Sequence, residues 1–512
     1  LCEKLNKEYT PELAAKITGL NPNLIRTFAR EMAAAPRAMI FASWGACKHY
    51  HSDLYQRAMI LLMSLTGNQG KAGSGVRIAA WWGMDGLEAL ANGLFTTADK
   101  IKLIPKAIRG LTPRDYEDIF IGISEKEANT PMIVFLYVHG GYKEMWDKPH
   151  LQDPALPRNI AQYMRESIDK GWTKVHPPED RTPKAYIFTG CNPLRRWPSP
   201  QIAKKHLWPK FDVIVSVNFR MSTSSLFADY VLPVAAYYEK YGIKYGQTYV
   251  PYIITSDKAT EPLGEAKSDW EIFGLLSKTI SERAKVRNIG PVRGFKDQPH
   301  DLTKVYENHT ENGKYDPTDP EDPVKLMDAI FAGSPSVGAD NGRDALKMGA
   351  VPVIGTGRPS LIYQNYSDYD PKDTHWPHRD FVEKKVAWPT LTGRQQFYID
   401  HPWFIEGGES LPTHKPPPHA GSKYPLRMYG GHNRWSIHAI WRDVKLLLRL
   451  QRGQPVCWIN PEEAVTRNIK DGDMIRVFNH QSDFECMAKV SAMTAPGEII
   501  VYHAWEPYQF KD

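Results

Sequence analysis

Little in this sequence points to the common ligand or membrane motifs. Its five cysteines are Cys2, Cys47, Cys191, Cys457 and Cys486. No two stand at CxxC spacing, so neither structural zinc nor a local iron–sulfur site is expected within this chain. The spacing suggests no disulfide. No apolar run reaches the roughly 18 residues of a membrane span, and VKLLLRLQRG (Val444–Gly453) is short and charged. No signal peptide is visible. The net charge of +6 is mild for 512 residues. No basic stripe stands out, which argues against a nucleic-acid partner. No GxGxxG follows a strand-like run, which weighs against a nicotinamide dehydrogenase, and the glycine-rich LTGNQGKAGSG (Leu65–Gly75) is not a P-loop. The chain opens on Leu1 in mid-pattern, so an N-terminal part is expected upstream.

What is present is an ordinary globular balance, 42% hydrophobic and 24% charged. It provides for two to four domains of roughly 100–200 residues each. Tyr9–Ala35 reads as helix, turn, helix: Thr10-Pro11 offers a cap and a first-turn proline, Gly19 a stop, and Asn21-Pro22 a new start. Four apolar runs follow: AMIFASWGACKHYH ending at Gly45, MIVFLYVHGGY at Gly140-Gly141, AYIFTGCNPLRRW at Gly190, and DVIVSVNFRMSTSS. Unbroken apolar strands predict a parallel sheet buried on both faces. Helices are expected at Leu54–Leu65 and Ser268–Ala284, the latter with a Ser268/Glu271 capping box. The pattern is α/β and doubly wound, with ligands expected at the carboxyl ends of the strands. The expected divisions are 1–178 and 179–300 as α/β segments, 301–384 as an irregular Pro/Asp-rich insertion, and 385–512 as a small β-barrel. The barrel rests on the short strands MIRVFNH, FECMAKV and EIIVYHAW.

Several stretches carry candidate chemistry. LTGNQGKAGSG suits a loop hugging a phosphate or ring, or a plain helix cap. TGCNPLRRWPSP lies at a strand end, where Arg195 and Arg196 suit a phosphate. Ser222, Thr223 and Ser224 offer hydroxyls after the next strand, or merely cap a helix. His49 and His51 form an HxH pair without a visible third ligand, so ordinary histidines are expected there. In the barrel region, Arg394, His432, Arg434 and His438 suit a cationic cradle, joined by Tyr502, His503 and Glu506.

Together LTGNQGKAGSG, GCNP, MSTSSLFADYVLP, LTGRQQFY, GGHNRWSIHAIWRD, IKDGDMIRV and GEIIVYHAWEPYQF resemble, in order and spacing, the C-terminal half of the catalytic subunit of molybdopterin oxidoreductases, the dimethyl sulfoxide reductase family. GGHNRWSIHAIWRD, LRLQRG and YHAWEPYQFK are most similar to the ethylbenzene dehydrogenase-like subgroup. The resemblance implies doubly wound α/β cofactor-binding domains followed by a C-terminal double-psi β-barrel. It implies a molybdenum bis(molybdopterin guanine dinucleotide) cofactor. Gly45, Gly190, Asn192, Pro193, Ser222, Thr223 and Ser224 would meet it at strand ends. Thr392, Gly393, Arg394, Gly431, His432, Ser436, His438 and His503 match the pterin-facing region, with His438 and His503 as the catalytic candidates. The family's metal-ligating Asp and its Cys/His motif for a 4Fe-4S cluster are not visible here and belong upstream. Ser224 stands where the family usually has Thr. The expected function is a hydrocarbon-hydroxylating dehydrogenase. The alternatives are a nitrate, selenate or chlorate reductase or nitrite oxidoreductase, or a cofactor-binding module without catalysis. The resemblance further implies an iron–sulfur electron-transfer subunit, a haem subunit as a further partner, a small-molecule substrate, no membrane span and a periplasmic location.

Overall fold

The capping signals near the N-terminus act as their chemistry dictates. Thr10 accepts a hydrogen bond from the Leu13 amide and caps the Pro11–Thr18 helix. Gly19 closes that helix in the left-handed region at φ 75°, and Asn21 caps Pro22–Ala34. The computed structural model describes residues 2–42, 44–77, 101, 104–105, 108, 130–245, 252–293, 299–334, 337–352, 376, 378–388, 390–416, 423–479 and 482–510.

Strand β1 (Met39–Phe41) pairs in parallel with β2 (Gly75–Arg77), and the Ser52–Leu65 helix lies between them in the chain. The Leu65–Gly75 loop spends its buried polar groups on that pairing. Asn68 accepts from the Ala38 amide (2.9 Å), and the Ser74 hydroxyl donates to the Asn68 carbonyl (2.5 Å).

The MIVFLYVH run is a helix, Met132–His139, and not the strand its unbroken apolarity suggests. Apolarity alone does not separate a buried strand from a buried helix. Here Leu136 joins Tyr142, Leu194, Trp197 and Leu207 in one core. Gly141 then passes close to a neighbour, since a Cβ there would lie 2.5 Å from His206.

The other two runs form the expected strands. β3 (Ala185–Thr189), β4 (Val213–Asn218) and β5 (Tyr230–Pro233) make a parallel sheet in the order β3-β4-β5. Tyr186 pairs in register with Ile214, and this face packs on the Leu136–Trp197 core. Val215 and Val217 point the other way, toward Ile272 on the Asp269–Val286 helix. Helices thus cover both faces, as a doubly wound arrangement requires. Ser268 caps that helix through the Glu271 amide (3.1 Å), while the Glu271 carboxylate pairs with Lys267 (2.7 Å).

β6 (Gly242–Tyr245) and β7 (Tyr252–Ser256) are antiparallel, β8 (Val292–Arg293) and β9 (Pro299–His300) form a short pair, and β10 (Ala350–Pro352) adds to β7. The 301–384 stretch is more regular than its composition suggests. It supplies the Asp322–Ala332 and Gly342–Met348 helices, whose Met327, Phe331 and Ala345 bury against Ile253 and Val351. Its proline and aspartate are helix-start residues here: Pro323 sits in a first turn, and Asn341 caps through Asp344. Residues 353–375, which hold most of the second Pro/Asp-rich stretch, lie outside the described residues.

The C-terminal sheet starts at Arg427. Its strands are β11 (Arg427–Tyr429), β12 (Val456–Ile459), β13 (Met474–Phe478), β14 (Asp483–Val490) and β15 (Glu498–Val501), in the order β11-β15-β12-β14-β13. Parallel and antiparallel pairs alternate across it. Cys457, Ile459, Cys486 and Ile499 fill its core.

Candidate functional site

The chain leaves β11 through Gly430-Gly431 and leaves β15 through Tyr502-His503, so these two exits lie side by side. A Cβ on Gly431 would stand 3.2 Å from the Tyr502 ring, so only glycine fits without displacing it. The His503 amide donates to the Gly431 carbonyl (3.1 Å), and so does His503 Nδ1 (2.6 Å). A carbonyl only accepts, so that contact puts the ring proton on Nδ1 and leaves Nε2 a lone pair. His438 Nδ1 lies 2.9 Å from His503 Nε2 and must donate to it. The same logic leaves His438 Nε2 as a free acceptor. His432 completes the group, its ring centroid 4.5 Å from that of His503 and 4.9 Å from that of His438. The three ligand nitrogens lie within 4.8 Å of one another, close enough to share a cation or the heteroatoms of a flat ligand.

The surroundings favour the neutral form of His438 and His503. Burial pushes His438 and His503 below the ordinary histidine range, and the mutual repulsion of the histidines pushes in the same direction. Lys48, after β1, and Arg196, after β3, add positive field at His438. The cluster thus faces strand-end loops of the α/β part. Its rim is open and strained. Trp435, Ile437 and Trp441 are 40%, 63% and 47% exposed, and none is packed under the segment as a core residue. His438 and Trp441 adopt φ 51° and 74°, a region costly for a bulky side chain. Behind the segment, Arg434, Trp435, Arg452, Trp458 and Tyr502 line a cleft of about 150 Å³. Arg442 anchors the segment from below. It is buried, donates to the His503 carbonyl (2.8 Å) and to Gln451, and lies 3.9 Å from the Trp505 ring centroid.

A second polar cluster lies three residues on, at Glu506. Ala504 turns the chain at φ 72° and sends Trp505 and Glu506 inward. The Glu506 carboxylate is fully buried. It accepts from Asn192 Nδ2 (2.8 and 3.1 Å), the Thr223 amide (3.2 Å), the Thr223 hydroxyl (2.5 Å) and Arg220. Asn192 Oδ1 accepts from the Ser224 hydroxyl (2.7 Å), whose oxygen accepts from the Leu194 amide (2.8 Å). Ser222 Oγ lies 2.9 Å from Ser225 Oγ, and Arg195 donates to the Trp505 carbonyl.

The structure therefore sorts the sequence-derived residues into groups. Gly431, His432, His438 and His503 come together, and Ser436 is half-buried on the same segment. Gly45 and Gly190 are exposed with open space where a Cβ would be. Asn192, Pro193, Ser222, Thr223 and Ser224 form the inner junction, where the hydroxyls have protein partners. Thr392, Gly393 and Arg394 make a separate turn, tied to Trp388 by its amide to the Gly393 carbonyl (3.0 Å) and flanked by Gln395 near Ser64. His49 is exposed, and His51 lies 3.6 Å from Asp153. The roles of Arg220 and Arg442 escaped the sequence reading. Arg220 is a lone charge between Phe219 and Met221, and Arg442 stands beside Asp443 in a mixed stretch, so no periodicity flags either.

Comparison with known proteins agrees with this layout. Residues 8–279 match the family model "Molybdopterin oxidoreductase", and residues 426–510 match "Molydopterin dinucleotide binding domain". The respiratory nitrate reductase subunit alpha of Haloferax mediterranei is 34% identical over 98% of this chain and 48% of its own length. The perchlorate reductase subunit alpha of Dechloromonas aromatica is 30% identical, covering 99% and 50%. The dimethylsulfide dehydrogenase subunit alpha of Rhodovulum sulfidophilum is 30% identical, covering 99% and 52%. The chain thus spans about half the length of the curated relatives it matches. Acetylene hydratase from Pelobacter acetylenicus shares the fold, with a TM-score of 0.59 at 16% identity over 98% of this chain and 58% of that one.

Proposed function

This chain belongs to the molybdopterin oxidoreductase family, and from that premise we propose that it is the C-terminal part of a catalytic alpha subunit carrying molybdenum bis(molybdopterin guanine dinucleotide). The observation that carries the reading is the convergence of His432, His438 and His503 at Gly431, within the stretch matching a dinucleotide-binding domain. The residues fit such a group. Gly431 keeps backbone bare against Tyr502, where a Cβ would crowd the ring. His438 Nε2 and the His432 ring nitrogens are left to meet ring heteroatoms, since both nitrogens of His503 are engaged within the protein. Lys48, Arg196 and Arg434 supply cations for an anionic tail, and the exposed faces of Trp435 and Trp441 supply flat apolar cover. We further propose the five-stranded sheet as part of a double-psi barrel that closes over the cofactor.

When bound, the cofactor supplies two-electron redox chemistry at its metal; the protein supplies orientation, electrostatics and proton handling. His438 Nε2 is the open end of a relay whose inner end is fixed at the Gly431 carbonyl. It can take one proton and hold it on the open side of the cluster, where it would serve a bound cofactor as a general acid–base. Gly45, Gly190 and Ser436 would border the same crevice. Thr392, Gly393 and Arg394 would reach the cofactor from their own turn.

On substrate, the relatives above shift the reading from hydrocarbon hydroxylation to respiratory oxyanion reduction, with nitrate or chlorate as the substrate class. The iron–sulfur subunit, a haem subunit, an upstream 4Fe-4S cluster and a periplasmic site remain part of the proposal. Among the described residues no helix is long and apolar enough to cross a membrane. The test is metal and pterin analysis of the full-length subunit, with nitrate and chlorate turnover driven by a reduced viologen. Molybdenum with oxyanion turnover is expected, and loss of both pterin content and turnover in His432→Ala/His438→Ala/His503→Ala. The 512-residue chain alone is expected to be inactive. A full-length subunit purified without molybdenum would overturn the reading.

A further inference from the structure

The donors around Glu506 lie past the carboxyl ends of β3 and β4, where an open parallel sheet ordinarily binds an anionic ligand. The charges there do not balance. Arg195 and Arg220 face one buried carboxylate, and Arg442, a third cation, is pushed down to about 10 by burial and by Arg195. The Arg220 side chain is only 9% exposed, and its second terminal nitrogen has no hydrogen-bond partner. An Arg fork, an Asn amide, a hydroxyl and a backbone N–H converging on one point are the donor set that recognises an oxyanion.

We propose that the ends of β3 and β4 form an anion-binding pocket whose occupant is the chain's own Glu506 carboxylate, which latches the C-terminal sheet onto the parallel sheet. This pocket is therefore closed to an external phosphate, and Ser222, Thr223 and Ser224 serve the latch. The unused Arg220 nitrogen means that the pocket has donor capacity beyond one carboxylate. A small oxyanion should enter once the side chain is removed. The inference does not depend on which cofactor the histidine cluster meets.

The test uses the full chain carrying Glu506→Ala. Its melting temperature should fall by several degrees, and millimolar formate should restore about half of the loss by binding the folded state. Chloride at equal ionic strength should restore none, and formate should leave the parent unchanged. The rescue should vanish in Arg220→Met/Glu506→Ala. Equal effects of formate and chloride, or a rescue that survives loss of Arg220, would overturn the proposal. Should Glu506→Ala not fold, Glu506→Gln keeps the volume and removes the charge. Amide exchange over residues 219–227 should then quicken by about tenfold or more as the latch opens. Unchanged exchange would equally overturn it.

Discussion

His503 and Glu506 sit three residues apart on one segment, yet they belong to opposite kinds of polar cluster. Around Glu506 both carboxylate oxygens are occupied, and Ser222 to Ser225 are buried with their hydroxyls engaged. Around His503 the relay ends in a free acceptor, the aromatic rim is exposed, and the backbone is strained at His438 and Trp441. By residue type both look like ligand sites. What separates them is unused hydrogen-bonding capacity reachable from outside, because a buried donor that already has its acceptor gains nothing from a ligand.

The sharpest way to break this contrast is through Arg220. Arg220→Met removes the cation from a buried pair and leaves Glu506 with neutral donors only. Breaking such a pair costs about 3–5 kcal/mol, which a denaturant midpoint at constant slope would report. His432→Ala, on the open rim, should stay within about 0.5 kcal/mol of the parent. Similar costs at the two positions would mean that both clusters are structural.

This contrast marks what was legible in the sequence. Strands β3, β4, β13 and β14 were legible because apolar runs and alternation are local signals. The histidine cluster was legible because its members fall in two short stretches that leave neighbouring strands. The Met132–His139 helix was not, since an apolar run carries no period to choose between helix and strand. The helices of 322–348 were masked by proline and aspartate that turned out to be starts and caps. Least legible was the Asn192–Glu506 contact, made across 314 positions of sequence. A serine or asparagine at a strand end looks the same whether it awaits a phosphate or already holds a carboxylate from the far end of the chain.

A second, smaller effect should appear on the open side alone. Trp441 holds φ 74° with much of its ring in solvent. Trp441→Gly removes a left-handed strain of about 1–2 kcal/mol and should stabilise the chain by about 1 kcal/mol after glycine's entropy cost. Pterin content of the full-length subunit should fall in the same variant. Stability and occupancy moving in opposite directions would mark the strain as part of a binding surface. A variant that loses stability would place Trp441 in the core instead.

The smallest effect is a proton. His438 and His503 titrate below 6.5 in the folded chain because burial, and then the neighbouring His432, disfavour the charged ring. The unfolded chain therefore binds more protons between 6.5 and the folded values, and stability must fall as pH drops through that window. Above 6.5 both states are neutral, and the contribution is complete. His139, His309 and His378 are also held low by burial, His378 at about 4, so the parent's acid slope is shared. His438→Asn/His503→Asn should flatten only part of it, and denaturant titrations at pH 5 to 8 would read the difference. Loading an anionic cofactor should raise both values and shrink this part of the slope, because a negative neighbour favours the imidazolium. If loading left the slope unchanged, the imidazoles would not face the cofactor, and the open cluster would lose its claim to be the working one.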